Sequence, residues 1–300
     1  MNLNRRQTGI VEMVLAMGLS GTLGYFVLEA NLPVWNIVFF RCVFGLLGLG
    51  IYCWWRGFLT PWPLAGRNLL FASLAGCALV ANWLLLFGSY QYASISLSTA
   101  VYHTQPFFLL LLARLFFAEA FDLRKLPWYL IAFAGLLLII EFRWSGLENS
   151  QQLLGFLMAL GAAVLYAVTT LFTRQVEGVR PEVIALLHVM IGSVLLLPVL
   201  DLTALPVLAS QWWCLIVLGF VHTCLMYIFL YSAYQKLPVA LIAILAFLYP
   251  VIAILVDYLI YDQSLSVLQW LGIMAVLFSA TAMNAGWSPL KWRMKQANKV

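Results

Sequence analysis

The chain is apolar almost without interruption from Gly9 to Gly286, and only a few charges, prolines and tryptophans divide this stretch. Hydrophobic residues make up 64% of the sequence and charged residues 9%, whereas soluble domains carry about 25% charge. A soluble fold cannot bury so much apolar surface. Because a bilayer core of about 30 Å requires about 20 apolar residues per helical crossing, the sequence predicts an integral membrane protein.

The apolar stretch divides into segments with lengths that suit membrane-crossing helices, in which the backbone satisfies its own hydrogen bonds. We therefore predict an all-α fold with ten transmembrane helices and no soluble domain. The ten segments, numbered 1 to 10 in chain order, cover residues 9–28, 34–55, 69–90, 97–118, 126–142, 153–173, 182–200, 212–234, 239–261 and 266–286.

Basic residues lie mostly on one side of this topology. If the N-terminus is cytoplasmic, Arg143 falls in an outer loop, and Arg41 and Arg114 fall inside segments. The other basic residues lie in inner loops and tails: Arg5, Arg6, Arg56, Arg67, Arg124, Lys125, Arg174, Arg180, Lys236, Lys291, Arg293, Lys295 and Lys299. Because basic loops stay cytoplasmic, we predict that both termini are cytoplasmic, in a bacterial inner membrane. The expected partner of these charges is bilayer lipid and not nucleic acid.

The two halves of the chain repeat each other at an offset of 144 residues. The matched pairs are Tyr90 and Tyr234, Gln91 and Gln235, and Pro106 and Pro250. We therefore predict two repeats, residues 1–145 and 146–300. Each repeat holds five helices, an odd number, so the second is inverted relative to the first, as in many secondary transporters. Gene duplication without a mechanistic role is the alternative.

Several residues give the chain a resemblance to a known family. Arg41 stands in the run FFRCVF of segment 2, Pro106 precedes Glu119 by thirteen residues, and Pro250 is its counterpart in the second half. With the glycines of segment 1, they make the chain resemble the EamA-type ten-helix carriers of the drug/metabolite transporter superfamily, over essentially its whole length. The resemblance implies a substrate cavity between two five-helix halves and movement of segments 3–4 and 8–9 as hairpins. It also implies transport of small organic solutes by proton antiport or exchange.

Polar and aromatic side chains at the depth of the two prolines predict a central binding site. Each proline kinks its helix by removing a backbone hydrogen bond, which a membrane tolerates only beside protein or a wet cavity. The candidate substrate contacts are Asn82, Trp83, Tyr102, His103, Gln105, Tyr166, His222, Tyr227 and Tyr249. Helix packing and anchoring are the alternative roles for these side chains.

Ionisable side chains inside the segments are candidates for gating or ion coupling, because charge is costly in lipid. Arg41 and Asp257 fall in the same outer half and are predicted to pair as an outer gate. A permanent bridge, or capping of Arg41 by backbone carbonyls, is the alternative. Glu12 and Arg114 form a second candidate pair near the inner side, with snorkelling to the interface as its alternative. His188 falls where Arg41 falls in the other half.

These features predict a secondary transporter of a small organic solute and not an enzyme. His103 or His222 is a candidate proton carrier because histidine titrates near neutral pH, with neutral packing as the alternative. The sequence contains no phosphate-binding loop and no histidine with metal-ligand spacing, so neither a cofactor nor a metal ion is expected. A membrane-embedded enzyme and a non-transporting membrane subunit are the alternative functions, and a homodimer is left open.

Overall fold

The computed structural model describes residues 4–89, 91–93, 95–117, 123–141, 150–260 and 265–287, with only the backbone described at 95, 96, 100, 123, 257 and 260. All regular structure in these ranges is helical. The unbroken helices are Arg5–Ala30, Val34–Trp55 and Gly66–Ser89 for segments 1 to 3, Leu126–Ile139, Ser150–Arg174 and Pro181–Leu196 for segments 5 to 7, and Val267–Asn284 for segment 10. Short 3₁₀ turns, Leu123–Lys125 and Leu197–Val199, flank segments 5 and 7.

The described helices have the length and surface of membrane-crossing elements. Eight are long and apolar enough to cross a membrane when the adjoining pieces of segments 7, 8 and 9 are joined. Two shorter apolar helices, Gln105–Phe117 and Leu126–Ile139, belong to segments 4 and 5. Large apolar side chains are exposed on the outside of the bundle, as at Val194 and Leu259, where they require lipid. The prediction of an all-helical, multi-pass integral membrane protein is confirmed.

The first and the last of these helices along the chain begin with capping boxes. The Asn4 side chain accepts a hydrogen bond from the backbone N–H of Gln7 at 2.8 Å, and the Gln7 side chain accepts one from the backbone N–H of Asn4 at 3.1 Å. Ser266 and Gln269 make the same reciprocal pair in front of segment 10. Because a capping box satisfies free N–H groups of the first turn, segment 1 begins at Arg5, ahead of the predicted position 9.

Segments 4 and 9 are each divided into two helices. Segment 4 consists of Ile95–Tyr102 and Gln105–Phe117, and segment 9 consists of Val239–Leu245 and Leu248–Ile260. Pro106 and Pro250 lie in the first turn of the second helix, where a missing N–H removes no helical hydrogen bond. The structure thus contains complete breaks where the sequence predicts kinks. At the offset of 144 residues the two breaks coincide to within one residue.

Segment 8 changes its winding halfway along. It runs from Ala209 to Lys236, and Phe220–Leu225 within it is a π-helical turn. The Thr223 hydroxyl donates to the Leu218 carbonyl at 2.8 Å across this turn. The sequence predicts one regular helix here, because no proline or glycine cluster marks the change. π-turns are often found at functional sites.

Both ends of the described chain lie at one face of the helix bundle. Arg6 donates to the backbone and side-chain oxygens of Asn284, both at 2.9 Å, and Arg5 donates to the Gln235 carbonyl at 3.0 Å. We call this side of the bundle the terminal face.

The other end of the bundle, which we call the opposite face, carries Asn31 and Gln269. Gln269 donates to the Ile139 carbonyl at 3.2 Å, and Gln91 lines a cavity together with Asn31 and Gln269. Gln235, which matches Gln91 at the 144-residue offset, lies at the terminal face. Matched positions of the two halves therefore lie at opposite ends of the bundle.

The packing of the segments follows the same relation between the halves. Segment 3 packs against segments 6 and 7, and segment 8 packs against segments 1 and 2. Segment 4 packs on segment 6, as segment 9 packs on segment 1. Segments 2 and 7 pair with each other, as do segments 5 and 10. Exchanging the two halves maps this set of pairs onto itself, which is the pattern of a twofold axis between two similar repeats.

Candidate functional site

A cavity of about 120 Å³ lies between the two breaks, and we call it the inner cavity. Seven of the nine predicted substrate contacts line it: Trp83, Tyr102, His103, Gln105, Tyr166, Tyr227 and Tyr249. Arg41 and Pro106 also belong to its wall. Met17, Ser20, Leu23 and Met226 complete much of the lining, and sequence reasoning missed them because nothing distinguishes them from packing residues.

A larger cavity of about 650 Å³, the vestibule, connects the inner cavity to the opposite face. Leu23, Phe87 and Tyr249 line both spaces, which places them at the passage between the two. The vestibule reaches Asn31 and Glu141, both of which are exposed. The inner cavity of this conformation is therefore accessible from the opposite face through the vestibule.

The two halves contribute matched positions to the inner cavity. Trp83 and Tyr227 are related by the 144-residue offset, and their rings meet edge to face with centroids 6.2 Å apart. Gln105 and Tyr249 are related in the same way, and both line the wall. The local axis between the halves therefore passes close to the cavity.

Arg41 is the fixed cation of the inner cavity. It is only 2% exposed. Its Nε donates to the Thr223 hydroxyl at 2.9 Å, and its Nη2 donates to the His222 carbonyl at 3.4 Å. Its guanidinium carbon lies 4.4 Å from the centre of the Trp83 ring, a cation–π contact. Both oxygen partners belong to the π-turn of segment 8, so this turn holds the arginine in place.

Glycines bring segments 2 and 8 close enough for these contacts. A Cβ on Gly45 would lie 2.7 Å from Thr223 Cγ2, and a Cβ on Gly219 would lie 2.2 Å from the Cβ of Phe44. Neither distance is compatible with a side chain. Segments 2 and 8 thus approach each other closely at the position that serves Arg41.

His103 lies at the break of segment 4, next to the break of segment 9. Its Nδ1 is 2.8 Å from the Thr99 carbonyl, and its ring stacks on Tyr249 with centroids 5.3 Å apart. Because a carbonyl oxygen only accepts hydrogen bonds, Nδ1 carries the proton. In the neutral ring Nε2 is then the atom that can accept a proton or a hydrogen bond.

Polar and aromatic contacts close the site toward the terminal face. The Tyr234 hydroxyl lies 3.4 Å from the hydroxyls of both Tyr166 and Thr170. Arg174 donates through Nε to the Tyr234 carbonyl at 3.3 Å. On the other side of segment 8, Lys236 forms an ion pair with Glu12 of segment 1. These contacts join segments 1, 6 and 8 beneath the cavity.

Comparisons with known proteins agree with this architecture. The model of the EamA-like transporter family matches residues 8–141 and again residues 153–285. The chain belongs to the EamA-like transporter family. A curated relative, "Uncharacterized transporter YxxF" of Bacillus subtilis (strain 168), is 30% identical over 286 residues, which are 93% of this chain and 90% of that protein. The resemblance to the drug/metabolite transporter superfamily is therefore confirmed, and the protein is a membrane transporter.

A solved structure described as "Crystal structure of protein" has the same fold as this EamA-like transporter. The TM-score is 0.81 at 17% identity, and the match covers 93% of this chain and 96% of that chain. At such low identity the likeness concerns the fold alone.

Two predicted substrate contacts of the EamA-like transporter lie in its helix packing and not at the cavity. Asn82 is fully buried and donates to the Ala162 carbonyl of segment 6 at 2.7 Å. His222 Nε2 is 2.8 Å from the Thr22 hydroxyl of segment 1. Both have the predicted depth, but their sides of the helix face neighbouring helices. His188 is also fully packed, with Nδ1 2.6 Å from the Tyr231 hydroxyl.

The predicted ion pair between Glu12 and Arg114 is wrong. Lys236 is the partner of Glu12, and Ser232 also donates to the same carboxylate oxygen at 3.0 Å. Arg114 is exposed. Segments 1 and 8 are neighbours, which a list of charges along the sequence cannot reveal.

The second predicted pair, Arg41 with Asp257, stays a prediction. The Asp257 side chain lies outside the described part of the structure. Among the described residues, the partners of Arg41 are all on segments 3 and 8.

The two prolines of the breaks line different cavities. Pro250 lines the vestibule, whereas its counterpart Pro106 lines the inner cavity.

Metal binding finds no support among the described residues of the EamA-like transporter. Within them, no three His, Cys, Asp or Glu side chains come close enough to hold a metal ion. The chemistry that the site offers is that of a guanidinium, several hydroxyl and ring groups, one amide and one imidazole. Such groups are suited to hydrogen bonding and stacking rather than to holding a metal ion.

Proposed function

We propose that the protein is a secondary transporter that carries a small organic solute by alternating access. The observation that carries this proposal is the position of the inner cavity. It lies between two broken helices of related repeats, opens through the vestibule to one face, and is closed at the other. A site with this geometry serves both faces in turn when the two halves exchange conformations.

The repeats give a physical reason for two conformations of similar energy. Matched positions such as Gln91 and Gln235 lie at opposite ends of the bundle, as expected for ten crossings arranged as two inverted five-helix repeats. If the two halves exchange their conformations, the inner cavity closes at the opposite face and opens at the terminal face. The backbone interruptions in segments 4 and 9 supply hinges at the depth of the site.

The membrane orientation follows from the basic loops. The positive-inside bias supports a topology with both termini in the cytoplasm of a bacterial cell and the protein in the inner membrane. The conformation described above is then open to the outside and closed to the cytoplasm. Transport coupled to protons, or exchange of one solute for another, supplies the driving force, and His103 is the titratable side chain of the wall with a nitrogen available to protons.

Reconstitution in proteoliposomes tests the transport function. A radiolabelled solute, identified by comparing metabolites of cells that lack or overproduce the protein, should show saturable uptake. It should also show counterflow when the vesicles are loaded with unlabelled solute. An imposed pH gradient that changes the accumulation would support proton coupling. Passive, non-saturable movement without counterflow would refute a carrier mechanism.

Accessibility labelling tests the architecture separately. Cysteines are placed singly at Tyr92 and Lys236, in a chain whose five native cysteines are replaced. A membrane-impermeant thiol reagent should reach the first position from outside and the second from inside. Labelling of both from the same side would refute the inverted repeats.

A further inference from the structure

Arg41 is held in the cavity wall by neutral groups alone, among the residues that the structure describes. Its partners are the Thr223 hydroxyl, the His222 carbonyl and the Trp83 ring. These partners orient the guanidinium but carry no net charge. A buried cation without a counter-ion costs several kcal/mol. The site therefore favours an occupant that brings a negative charge.

The described lining of the cavities contains almost no competing negative charge. The inner cavity has no Asp or Glu in its described wall. Glu141 is the acidic residue of the described vestibule wall, and it stands at the exposed mouth. A solute that moves inward thus leaves this carboxylate behind and approaches a cation in a low-dielectric wall, where Coulomb attraction is strong. The arrangement attracts anions and repels amines.

The guanidinium also has hydrogen-bonding capacity to spare. Nε and Nη2 are engaged, whereas no described residue accepts a hydrogen bond from Nη1. The Trp83 ring covers one face of the group, so a ligand approaches its edge. Guanidinium N–H groups match the paired oxygens of a carboxylate or a phosphate.

The rest of the inner cavity limits the body attached to the acidic group. Its walls are largely aromatic, with Tyr102, Tyr166, Tyr227 and Tyr249 around the space. At about 120 Å³ the cavity is smaller than most small-molecule sites, which span about 300–1,000 Å³. A compact group fits here, while a longer solute extends into the vestibule.

From these observations we infer that the transported solute carries an acidic group, a carboxylate or a phosphate, and that Arg41 binds this group in the inner cavity. The inference rests on the transport function proposed above. It adds the charge class of the substrate and the residue that selects it. Gln105 and the tyrosine hydroxyls hydrogen-bond the remaining polar atoms of the solute.

The test compares four proteins in proteoliposomes: the wild type, Arg41→Gln, Arg41→Lys and the control Arg67→Gln. Arg67 is a suitable control because its guanidinium also lies over an aromatic ring, that of Phe71 at 5.0 Å, but it is exposed and outside both cavities. The vesicles are incubated with an equimolar mixture of small carboxylates, phosphate monoesters, neutral amides and alcohols, and amines. Mass spectrometry then measures the compounds that have been taken up.

We expect the wild type to accumulate carboxylates or phosphate monoesters. The uptake of the carboxylates relative to that of the phosphate monoesters shows which acidic group is preferred. Arg41→Gln should lower this uptake at least tenfold, because the charge is lost. Arg41→Lys should retain part of it, since lysine keeps the charge without the fork of N–H groups. Arg67→Gln should match the wild type. If Arg41→Gln does not fold, the test rests on Arg41→Lys, in which the uptake of acids should be several-fold lower than in Arg67→Gln.

Different results would refute the inference and the transport function. Wild-type uptake of neutral compounds or amines, or unchanged uptake of acids by the Arg41 variants, would overturn the inference while leaving a working transporter. Absence of saturable uptake of any compound by the wild type would refute the transport function, and the inference with it.

Discussion

The ion pair between Glu12 and Lys236 joins segments 1 and 8 at the terminal face, and its removal should open that face. The Glu12→Gln substitution keeps the size of the side chain, and an amide oxygen can still accept the hydrogen bond from Ser232. The substitution removes the negative charge that faces the Lys236 ammonium. Because this pair lies on the closed side of the cavity, the substitution should destabilise the conformation that is closed at the terminal face. A conformation that is open at this face lacks the pair and should not be destabilised.

The burial of the pair sets the size of the effect. The Lys236 and Glu12 side chains are 24% and 16% exposed. Exposed pairs contribute about 0–1 kcal/mol, and breaking fully buried pairs costs about 3–5 kcal/mol. A mostly buried pair lies between these limits, so we expect a loss of about 2 kcal/mol. At about 1.4 kcal/mol per factor of ten, the population open at the terminal face should rise about 30-fold.

A cysteine at Ser20, which lines the inner cavity, reports this population. In a chain without native cysteines, the rate of labelling by an impermeant thiol reagent added at the terminal face should rise about 30-fold in Glu12→Gln. Lys236→Met should give a similar rise, and the double variant should not exceed either single one. Glu177→Gln, an exposed carboxylate at the same face, is the control and should label at the original rate. Unchanged labelling in Glu12→Gln, or single effects that add fully in the double variant, would refute a closing role for the pair.

Three further predictions concern Arg41, its surroundings and His103. Gly45→Ala should abolish most transport and destabilise the protein by about 1–3 kcal/mol in thermal unfolding, because overpacking would displace Thr223, the acceptor of Arg41. Gly18→Ala is the control and should behave as wild type, since no atom lies within 4 Å of the added Cβ. His103→Gln should flatten the pH profile of uptake, and a profile identical to wild type would exclude this histidine as the proton carrier. Asp257→Ala should lower transport if Asp257 pairs with Arg41 as an outer gate in the conformation closed to the outside, whereas full activity of Asp257→Ala would remove the proposed gate.

The inner cavity shows how far the reasoning from sequence reached. Trp83 and Tyr227 were predicted from their depth, and they meet in the cavity. Asn82, one residue before Trp83, has almost the same depth but faces segment 6. Counting residues along a helix gives the depth of a side chain in the membrane, whereas its direction around the helix axis decides what it contacts. A helix that is apolar on all sides shows no polar stripe from which that direction could be read.

The Arg41 environment shows the same limit at closer range. A costly cation in segment 2 is visible in the sequence, and so are the glycines that allow close helix approach. The π-turn that supplies Thr223 and the His222 carbonyl is not visible, since it arises from the local winding of segment 8 against segment 2. The partner of Glu12 was missed for a related reason: Lys236 is 224 residues away in sequence, and only the packing of segments 1 and 8 brings them together.

The sequence by itself determined the membrane class, the two repeats and the places where segments 4 and 9 break. Each of these follows from local composition and spacing, because apolar length sets membrane crossing and proline removes a backbone donor at a fixed position. The tertiary structure alone decided which side chains meet in the cavity, which face is open and which contacts close the other. Those properties depend on the rotation of each helix and on its neighbours, and in an apolar solvent both are set by close packing between helices rather than by hydrophobic pattern.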